Sequence, residues 1–149
     1  MEISDFLTPD RVLLDVRPRD KTQLINEIAR SLGRLVPGLT PEAVLSALSA
    51  REQLGSTGLG AGFALPHARI EGLGTYVGLF VRLAKPIDFD AIDGKPVTLV
   101  FVLLIPSETT MPHVAALAAI SRKFRDADLV TSLRKVRTQV EACGLLTNS

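Results

Sequence analysis

The longest apolar run in the chain covers residues 97–105, and this feature most limits the folds that the chain can adopt. Thr98 is the one polar residue in the run. A bilayer span takes about 20 apolar residues, so the run is too short to cross a membrane. A strand with apolar side chains on both faces is typical of the centre of a sheet that helices cover on each side. We therefore expect a central strand at residues 97–105.

Extended and helical patterns alternate in the first third of the chain. Residues 12–16 predict a short strand. A helix is expected after Asp20, which can cap it, and a second helix after Thr40, where Pro41 suits the first turn. The second helix is expected to stop near Gly55. Helical spacing predicts that these helices bury Leu24, Ile25, Ile28, Leu32 and Leu35 in the first and Val44, Leu45 and Leu48 in the second.

The rest of the chain predicts further strands and then helices. Strands are expected at residues 63–65 and 75–83, and the Asp93-Gly94 pair predicts the turn that leads to residues 97–105. Shorter helical segments are expected over residues 126–142, and the last residues, 145–149, are expected to fray. Before these segments, a helix is expected to start around Thr109, Thr110 and Pro112. Its inward face is expected to carry Val114, Leu117, Ala118, Ser121 and Phe124.

These elements predict a single domain over residues 1–149. The alternation of strands and helices indicates an α/β fold, a three-layer α-β-α sandwich in which helices flank a central mixed sheet. A chain of 149 residues is long enough to bury a core of this kind.

Composition narrows the classes of partner and the compartment. Lys and Arg number 17 against 16 Asp and Glu, so no basic surface for nucleic acid is expected. The acidic first residues lack a signal-peptide pattern, and no direct membrane insertion is expected. The single cysteine, Cys143, excludes an internal disulfide and fits a reducing compartment. We therefore expect a cytoplasmic protein.

Residues 51–69 carry four glycines, two hydroxyl side chains and two arginines around one histidine, His67. The segment is not a P-loop, because Ala61 stands where the motif requires lysine. It contains neither a dinucleotide-binding fingerprint nor a nucleophile elbow around Ser56. Two histidines and one cysteine are too few for a dedicated zinc site. The candidates that remain for chemistry are His67 and His113.

A histidine that carries a phosphoryl group needs one unprotonated ring nitrogen and fixed donors around the phosphoryl oxygens. Such a site would have the other nitrogen of His67 donate to an acceptor such as a carbonyl. His113 is expected in a first helical turn, where an anion is favoured, and Arg51 would complete the surroundings. The candidate phosphate-binding groups are the hydroxyls of Ser56 and Thr57, the backbone N–H groups of Gly58, Gly60 and Gly62, and the guanidinium of Arg69.

Structural interpretations of the same residues remain open at this point. His67 after Pro66 could be a turn residue, and His113 could belong to a helix cap. The glycines and hydroxyls could serve tight turns, and Arg51 and Arg69 could be solvated or paired with carboxylates.

The run from Leu54 to His67, LGSTGLGAGFALPH, resembles the phosphorylation-site motif of the fructose/mannitol-type enzyme IIA domains of the bacterial phosphotransferase system. The resemblance continues through VGLFVRL at residues 77–83, PIDFDAIDGKPV at residues 86–97, FVLLIP at residues 101–106, and His113 with its helix. The opening segment, ISDFLTPDRV at residues 3–12, is similar to the nitrogen-regulatory branch in particular.

The resemblance implies a role for several residues. His67 would accept a phosphoryl group from a histidine-containing phosphocarrier protein, His113 would bind the phosphoryl oxygens, and Arg51 would assist. The family fold is a mixed sheet between helices, and no metal or organic cofactor is implied. Many relatives have Gly-Lys where this chain has Ala68-Arg69, so Arg69 could contact either phosphate or a partner.

Three functions are compatible with these observations. The first is a nitrogen-regulatory phosphoryl relay that acts on target proteins, the second is a fructose- or mannitol-specific transport component that passes phosphate to a IIB domain, and the third is a non-catalytic binding module. A phosphocarrier needs an exposed and partly apolar surface near His67. Candidates for that rim, each of which could equally be core, are Leu59, Phe63, Leu65 and Met111. The sequence does not determine the oligomeric state, the target or the donor.

Overall fold

The structure is a computed structural model that describes residues 1–109 and 113–148. Two short 3-10 turns, Ile3–Asp5 and Pro9–Arg11, precede the first strand. The strands are β1 (Val12–Val16), β2 (Gly58–Gly60), β3 (Phe63–Ala64), β4 (His67–Ile70), β5 (Val77–Ile87) and β6 (Val97–Pro106). The helices are α1 (Lys21–Leu35), α2 (Pro41–Gln53), α3 (Val114–Arg125), α4 (Ala127–Leu133) and α5 (Gln139–Thr147).

The six strands form one mixed sheet, as expected. The order β1-β5-β6-β3-β2 places β5 and β6 at the centre, and β4 pairs with β6 beyond β3. The pairs β1–β5, β3–β6 and β4–β6 are parallel, whereas β5–β6 and β2–β3 are antiparallel. The parallel pairing of β4 with β6 sets His67 opposite Leu103.

Strand β6 confirms the prediction for the long apolar run. Alternate residues of a strand point to opposite faces of its sheet. Val100 and Val102 pack with helices α1 and α2, whereas Phe101 and Leu103 pack with α3, α4 and α5. The strand is therefore buried on both sides, and the two helical layers give the expected α-β-α sandwich.

The first two helices begin where the sequence predicts. Asp20 accepts a hydrogen bond from the backbone N–H of Gln23 at the start of α1, and Thr40 accepts one from Ala43 at the start of α2. These bonds satisfy backbone donors that a helix leaves free in its first turn. The predicted inward residues are buried, except Leu35 and Leu45, which are partly buried against the same core.

Two predictions about the C-terminal helices are wrong. The predicted inward face of α3 fails at Val114, which is 65% exposed, and at Ala118, which faces outward, whereas Phe124 is buried and Leu117 partly buried as predicted. The buried stripe of α3 is Ala116, Ile120 and Phe124, at four-residue spacing. Residues 145–147 do not fray, because α5 continues to Thr147 and packs against β1 and the N-terminal turns with Leu146 fully buried. The predicted start of α3 at Thr110 and Pro112 lies outside the described residues.

The glycine-rich segment contains two strands that the sequence did not predict, β2 and β4. Glycine has little preference for strands, and a strand of three or four residues has no periodicity to detect. Both strands form because longer neighbours supply their hydrogen-bond partners: β6 pairs with β3 and β4, and β3 in turn pairs with β2. In the described parts of the chain, no helix has both the length and the apolar character that a membrane span requires.

Candidate functional site

His67 begins β4 and is half-buried. Its ring nitrogen Nδ1 lies 2.8 Å from the carbonyl oxygen of Leu65. A carbonyl can only accept a hydrogen bond, so Nδ1 must carry the proton in this contact. In the neutral ring, Nε2 therefore has the free lone pair. A carbonyl partner of this kind is what a histidine that carries a phosphoryl group requires.

The surroundings of His67 favour the neutral ring. Burial, the largest effect, lowers the pKa of His67 below its usual 6.5, and the hydrogen bond to Leu65 opposes that shift. Electrostatic interactions with Arg51 and His113 lower the pKa of His67 further, whereas the Glu52 carboxylate raises it. The net effect is a lowered pKa, so Nε2 is available as a nucleophile at neutral pH.

Arg51 lies in the last turn of α2, next to the loop that leads to His67. Its Nη1 donates to the carbonyl oxygen of Gly55 at 2.9 Å. This bond holds the side chain against the loop that follows the helix. The positive charge of Arg51 lowers the pKa of His67. Arg51 therefore lies within electrostatic reach of His67, and its role at the site stays a prediction.

His113 occupies the N-cap position of α3 and touches the strand that begins with His67. Nη2 of Arg69, from β4, lies 3.3 Å from Nδ1 of His113, and Nη1 of Arg69 donates to the Ser107 carbonyl oxygen at 3.4 Å. A guanidinium cannot accept a hydrogen bond, so Nδ1 of His113 is the acceptor and its Nε2 carries the proton in the neutral ring. Within the described residues, Arg69 thus contacts the second histidine.

Ser56 and Thr57 use their hydroxyl hydrogens within the protein. The Ser56 hydroxyl donates to the Phe89 carbonyl oxygen at 2.7 Å and accepts from the N–H of Gly58 at 3.0 Å. The Thr57 hydroxyl donates to a carboxylate oxygen of Glu52, and Thr57 is only 2% exposed. The prediction that these hydroxyls donate to a phosphoryl group does not agree with these contacts. Each hydroxyl has a single hydrogen and donates it to another group of the protein.

Gly60 and Gly62 lie too far from His67 to contact a phosphoryl group there. Phe63 pairs with Leu99 and His67 with Leu103, which places the Gly62 turn about 13 Å from His67 along β6. Gly60 precedes that turn and lies against Asp93, so the prediction that Gly60 and Gly62 direct N–H groups at His67 does not fit. Their positive φ angles, +100° and +81°, explain instead why glycine occupies the turn.

Gly58 has a different structural constraint. A Cβ at this position would lie 2.8 Å from the Cα of Ala91, and the Gly58 carbonyl accepts a hydrogen bond from Ile92 at 3.2 Å. The residue therefore allows close packing of β2 against the loop after β5, while its N–H is bonded to Ser56. These contacts support a packing role for Gly58 in strand β2.

Glu52 and Lys21, which no sequence motif marks, form a partly buried ion pair beside the site. Nζ of Lys21 lies 2.8 Å from Oε2 of Glu52, whose side chain is only 6% exposed. The ammonium also lies 4.4 Å from the centre of the Phe89 ring. Glu52 directly follows Arg51 in the sequence, and this position could have marked it as a residue near the site. No local pattern connects it to Lys21 in another helix.

Exposed apolar side chains occur at the end of α2, on β2 and in the loop after β5. We use "apolar rim" for three exposed side chains: Leu54 (86% exposed), Leu59 (50%) and Ile92 (87%). Of the earlier candidates, Leu59 is on this surface, whereas Phe63 and Leu65 are buried and belong to the core. Met111 lies outside the described residues. In the part of the chain that the structure describes, no three His, Cys, Asp or Glu side chains are grouped closely enough to hold a metal ion.

Comparison with known proteins identifies the family. Residues 5–149 match the model of the phosphoenolpyruvate-dependent sugar phosphotransferase system, EIIA 2. A nitrogen regulatory protein of Bradyrhizobium diazoefficiens is 41% identical over 92% of this chain and 89% of its own length. The crystal structure of the nitrogen regulatory protein IIA-Ntr from Neisseria meningitidis is 39% identical, with a TM-score of 0.91 over 97% of this chain and 99% of that one. A fructose-specific EIIA component of Haloferax volcanii is 32% identical over 93% of this chain and 92% of its own length. The chain belongs to the EIIA 2 family of the phosphotransferase system.

Proposed function

We propose that this protein is a phosphoryl carrier that accepts its phosphoryl group on Nε2 of His67 from a histidine-containing phosphocarrier protein. The observation that carries the proposal is the 2.8 Å contact between Nδ1 of His67 and the Leu65 carbonyl, which leaves the lone pair on Nε2. The lowered pKa of His67 supports it, because the ring stays neutral near pH 7. Family membership supports phosphoryl transfer in general.

The proposed step exchanges one P–N bond for another. The Nε2 lone pair of His67 attacks the phosphorus of the donor's phosphohistidine, and the donor's P–N bond breaks with its electron pair returning to the donor ring. The proton on Nδ1 of His67 stays in place, held by Leu65. The product ring carries positive charge, which the attached phosphoryl group and the carbonyl dipole offset. The step requires neither a metal nor an organic cofactor.

Arg51 and His113 have stabilising roles in this proposal. Both act on the charge of His67, which puts them within electrostatic reach of a phosphoryl group there. Arg51 offsets the negative charge of the phosphoryl oxygens, and His113 donates to one of them through its Nε2 proton. Arg69 holds the His113 ring by its contact with Nδ1.

We further propose a regulatory role, in which the phosphorylation state of His67 controls the binding of target proteins. The similarity to two proteins named nitrogen regulatory proteins supports this role. Phosphorylation adds about two negative charges at His67, enough to change which partner binds. In this proposal residues 1–149 act as one EIIA 2 domain in the cytoplasm, and the buried free thiol of Cys143 fits a reducing compartment.

A sugar-specific transport role is the second candidate. The 32% identity to a fructose-specific EIIA component favours it, and the acceptor would then be a IIB domain. Stoichiometric transfer of phosphate from this chain to a sugar-specific IIB protein would support transport and contradict a purely regulatory role.

The first experiment incubates the protein with phosphoenolpyruvate, enzyme I and the phosphocarrier and measures its intact mass. One acid-labile phosphoryl adduct is expected in the wild type, none in His67→Ala, and one that forms more slowly in His113→Ala. No adduct with several competent carriers, or an unchanged adduct in His67→Ala, would contradict the proposal. The regulatory role predicts different partner sets for His67→Ala and His67→Asp in pull-downs, and identical sets would contradict it.

A further inference from the structure

A continuous line of hydrogen bonds runs from Lys21 in α1 to the imidazole of His67. We propose that Lys21, Glu52 and Thr57 are positioning residues that hold the Leu65 carbonyl in place and so select the tautomer of His67 that can take a phosphoryl group. The inference rests on the proposed function, because it assigns a purpose to Nε2 of His67. None of the three residues has to touch the phosphoryl group.

The anchor of the line is the buried Glu52 carboxylate. Oε2 of Glu52 lies 2.8 Å from Nζ of Lys21 and accepts from the backbone N–H of Thr57 at 3.2 Å. The Thr57 hydroxyl donates to Oε1, so both carboxylate oxygens have partners. A carboxylate that is 6% exposed would be costly without these partners. The cluster therefore keeps one geometry.

Thr57 transmits that geometry to His67. Its N–H and hydroxyl are bound to Glu52, and its carbonyl oxygen accepts from the N–H of Leu65 at 2.9 Å. The Leu65 carbonyl then accepts from Nδ1 of His67 at 2.8 Å. Pro66 restricts the backbone between the last two residues. Every polar group of Thr57 is thus used to connect α2 with the residue that orients the imidazole.

The charge of Glu52 also reaches the site. Arg51 and His113 lower the pKa of His67, whereas Glu52, next to Arg51 in α2, raises it. Glu52 therefore moderates the positive field around the imidazole while its hydrogen bonds set the loop. This supports a role at the site in addition to holding α2 to its loop.

Selecting the tautomer matters because only one form of neutral imidazole can react at Nε2. A His67 ring with its proton on Nε2 would have no lone pair there for the phosphorus atom. Loosening the Leu65 carbonyl would both populate that form and turn the ring away from the line of attack. Displacements of this kind, by about 1 Å, reduce rates by up to about a hundredfold.

The test compares the full chain with Thr57→Val and Glu52→Gln, which preserve side-chain shape. Nitrogen NMR of the ¹⁵N-labelled histidines reports the tautomer of His67 without any phosphate donor, and the His67→Gln variant assigns its signals. We expect a single Nδ1-protonated form in the wild type, a mixture in both variants, and phosphoryl acceptance slowed by about tenfold. Thr57→Ser keeps the hydroxyl and is expected to retain both the Nδ1-protonated form of His67 and the rate of phosphoryl acceptance.

Matched controls make the same chemical changes at another Thr–Glu pair. Thr138 donates to Glu141 at the start of α5, which packs against β1 and the N-terminal turns. Thr138→Val and Glu141→Gln are expected to lower stability at that helix cap and to leave the His67 signals unchanged. They separate a loss of stability from a change at the imidazole.

The outcomes distinguish this inference from the proposed function. Wild-type His67 signals in folded Thr57→Val and Glu52→Gln would overturn the positioning role even if the wild type is phosphorylated. An altered tautomer in these variants, together with no phosphorylation of the wild type, would support the positioning role and contradict the proposed function. Should Glu52→Gln not fold, Lys21→Met removes the cation that pairs with Glu52, and an unchanged His67 tautomer in that variant would equally overturn the inference.

Discussion

Arg69 and His113 contact each other across 44 residues of sequence, with Nη2 of the arginine 3.3 Å from Nδ1 of the histidine. The contact joins β4 to the start of α3 and leaves the second ring nitrogen of His113 to carry the proton. Arg69 is thereby a support for His113, whose own partner in the proposed reaction is the phosphoryl group on His67. A lysine at this position would have a single point of contact, whereas the guanidinium of Arg69 reaches both His113 and the Ser107 carbonyl.

We expect Arg69→Met to slow phosphoryl acceptance by His67 through the loss of His113 orientation. The effect should be about tenfold, smaller than that of His113→Gln, because His113 would still be present. The double variant is expected to be no slower than His113→Gln alone, since both changes remove the same interaction. Single-turnover kinetics of all three variants check this. Additive effects in the cycle would show that Arg69 acts independently of His113.

The lowered pKa of His67 predicts a specific pH dependence of stability. Between the folded-state pKa and the ordinary value of 6.5, the unfolded chain binds a proton at His67 that the folded protein does not bind. The contribution of His67 to stability is therefore complete above about pH 6.5 and is lost as the pH falls through the folded-state pKa.

Urea unfolding of the wild type and His67→Gln at a series of pH values tests this directly. The free energy of unfolding should fall more steeply below about pH 6.5 in the wild type than in the variant. Phosphoryl acceptance should likewise stay constant from about pH 8 to below pH 6.5, because the neutral ring persists. Parallel unfolding curves for the two proteins would contradict the lowered pKa.

Replacing single glycines of the glycine-rich segment by alanine is expected to change stability and the phosphoryl-transfer rate differently at each position. Gly62→Ala should cost about 1–2 kcal/mol, because its φ of +81° is unfavourable for any residue with a Cβ. Its phosphoryl-transfer rate should equal that of the wild type, since the turn lies about 13 Å from His67. Gly72→Ala is the matched control, with φ +79° in another turn.

Gly58→Ala should lower both the stability of the protein and its phosphoryl-transfer rate. The new Cβ would lie 2.8 Å from the backbone of Ala91 and force β2 away from its neighbour, next to Thr57. Thermal unfolding and single-turnover transfer rates of Gly58→Ala, Gly62→Ala and Gly72→Ala measure these differences. A slow but fully stable Gly62→Ala protein would restore the earlier prediction that this glycine serves the phosphoryl group.

The apolar rim of Leu54, Leu59 and Ile92 is expected to bind the phosphocarrier. Leu59→Asp and Ile92→Asp should raise the KM for the carrier by about tenfold and leave kcat unchanged, because a charge on the rim weakens docking without altering His67. Val140→Asp is the control, since Val140 is 69% exposed on α5. Steady-state transfer kinetics against carrier concentration check this. Equal effects of all three substitutions would argue against a docking role for the rim.

Elements that depend on neighbours in sequence were predictable. The caps at Asp20 and Thr40, the central strand β6 and the mixed sheet follow from local side-chain chemistry and from runs of apolar residues. Local patterns failed for α3, where Val114 is apolar but faces outward. The spacing of alanine and isoleucine did not by itself show which side of the helix meets the sheet.

The sequence by itself determined that His67 and His113 were the candidates for chemistry, because it contains no other histidine and too few soft ligands for a zinc site. The tertiary structure decided what their neighbours do. Lys21 meets Glu52 from another helix, Arg69 meets His113 from a strand, and Thr57 turns its hydroxyl to a buried carboxylate. No periodicity or motif encodes these pairings, since they depend on how β4 and β6 align and on which helices the sheet brings together. The same residue types can therefore suggest phosphate contacts in the sequence and serve as supports for His67 in the folded protein.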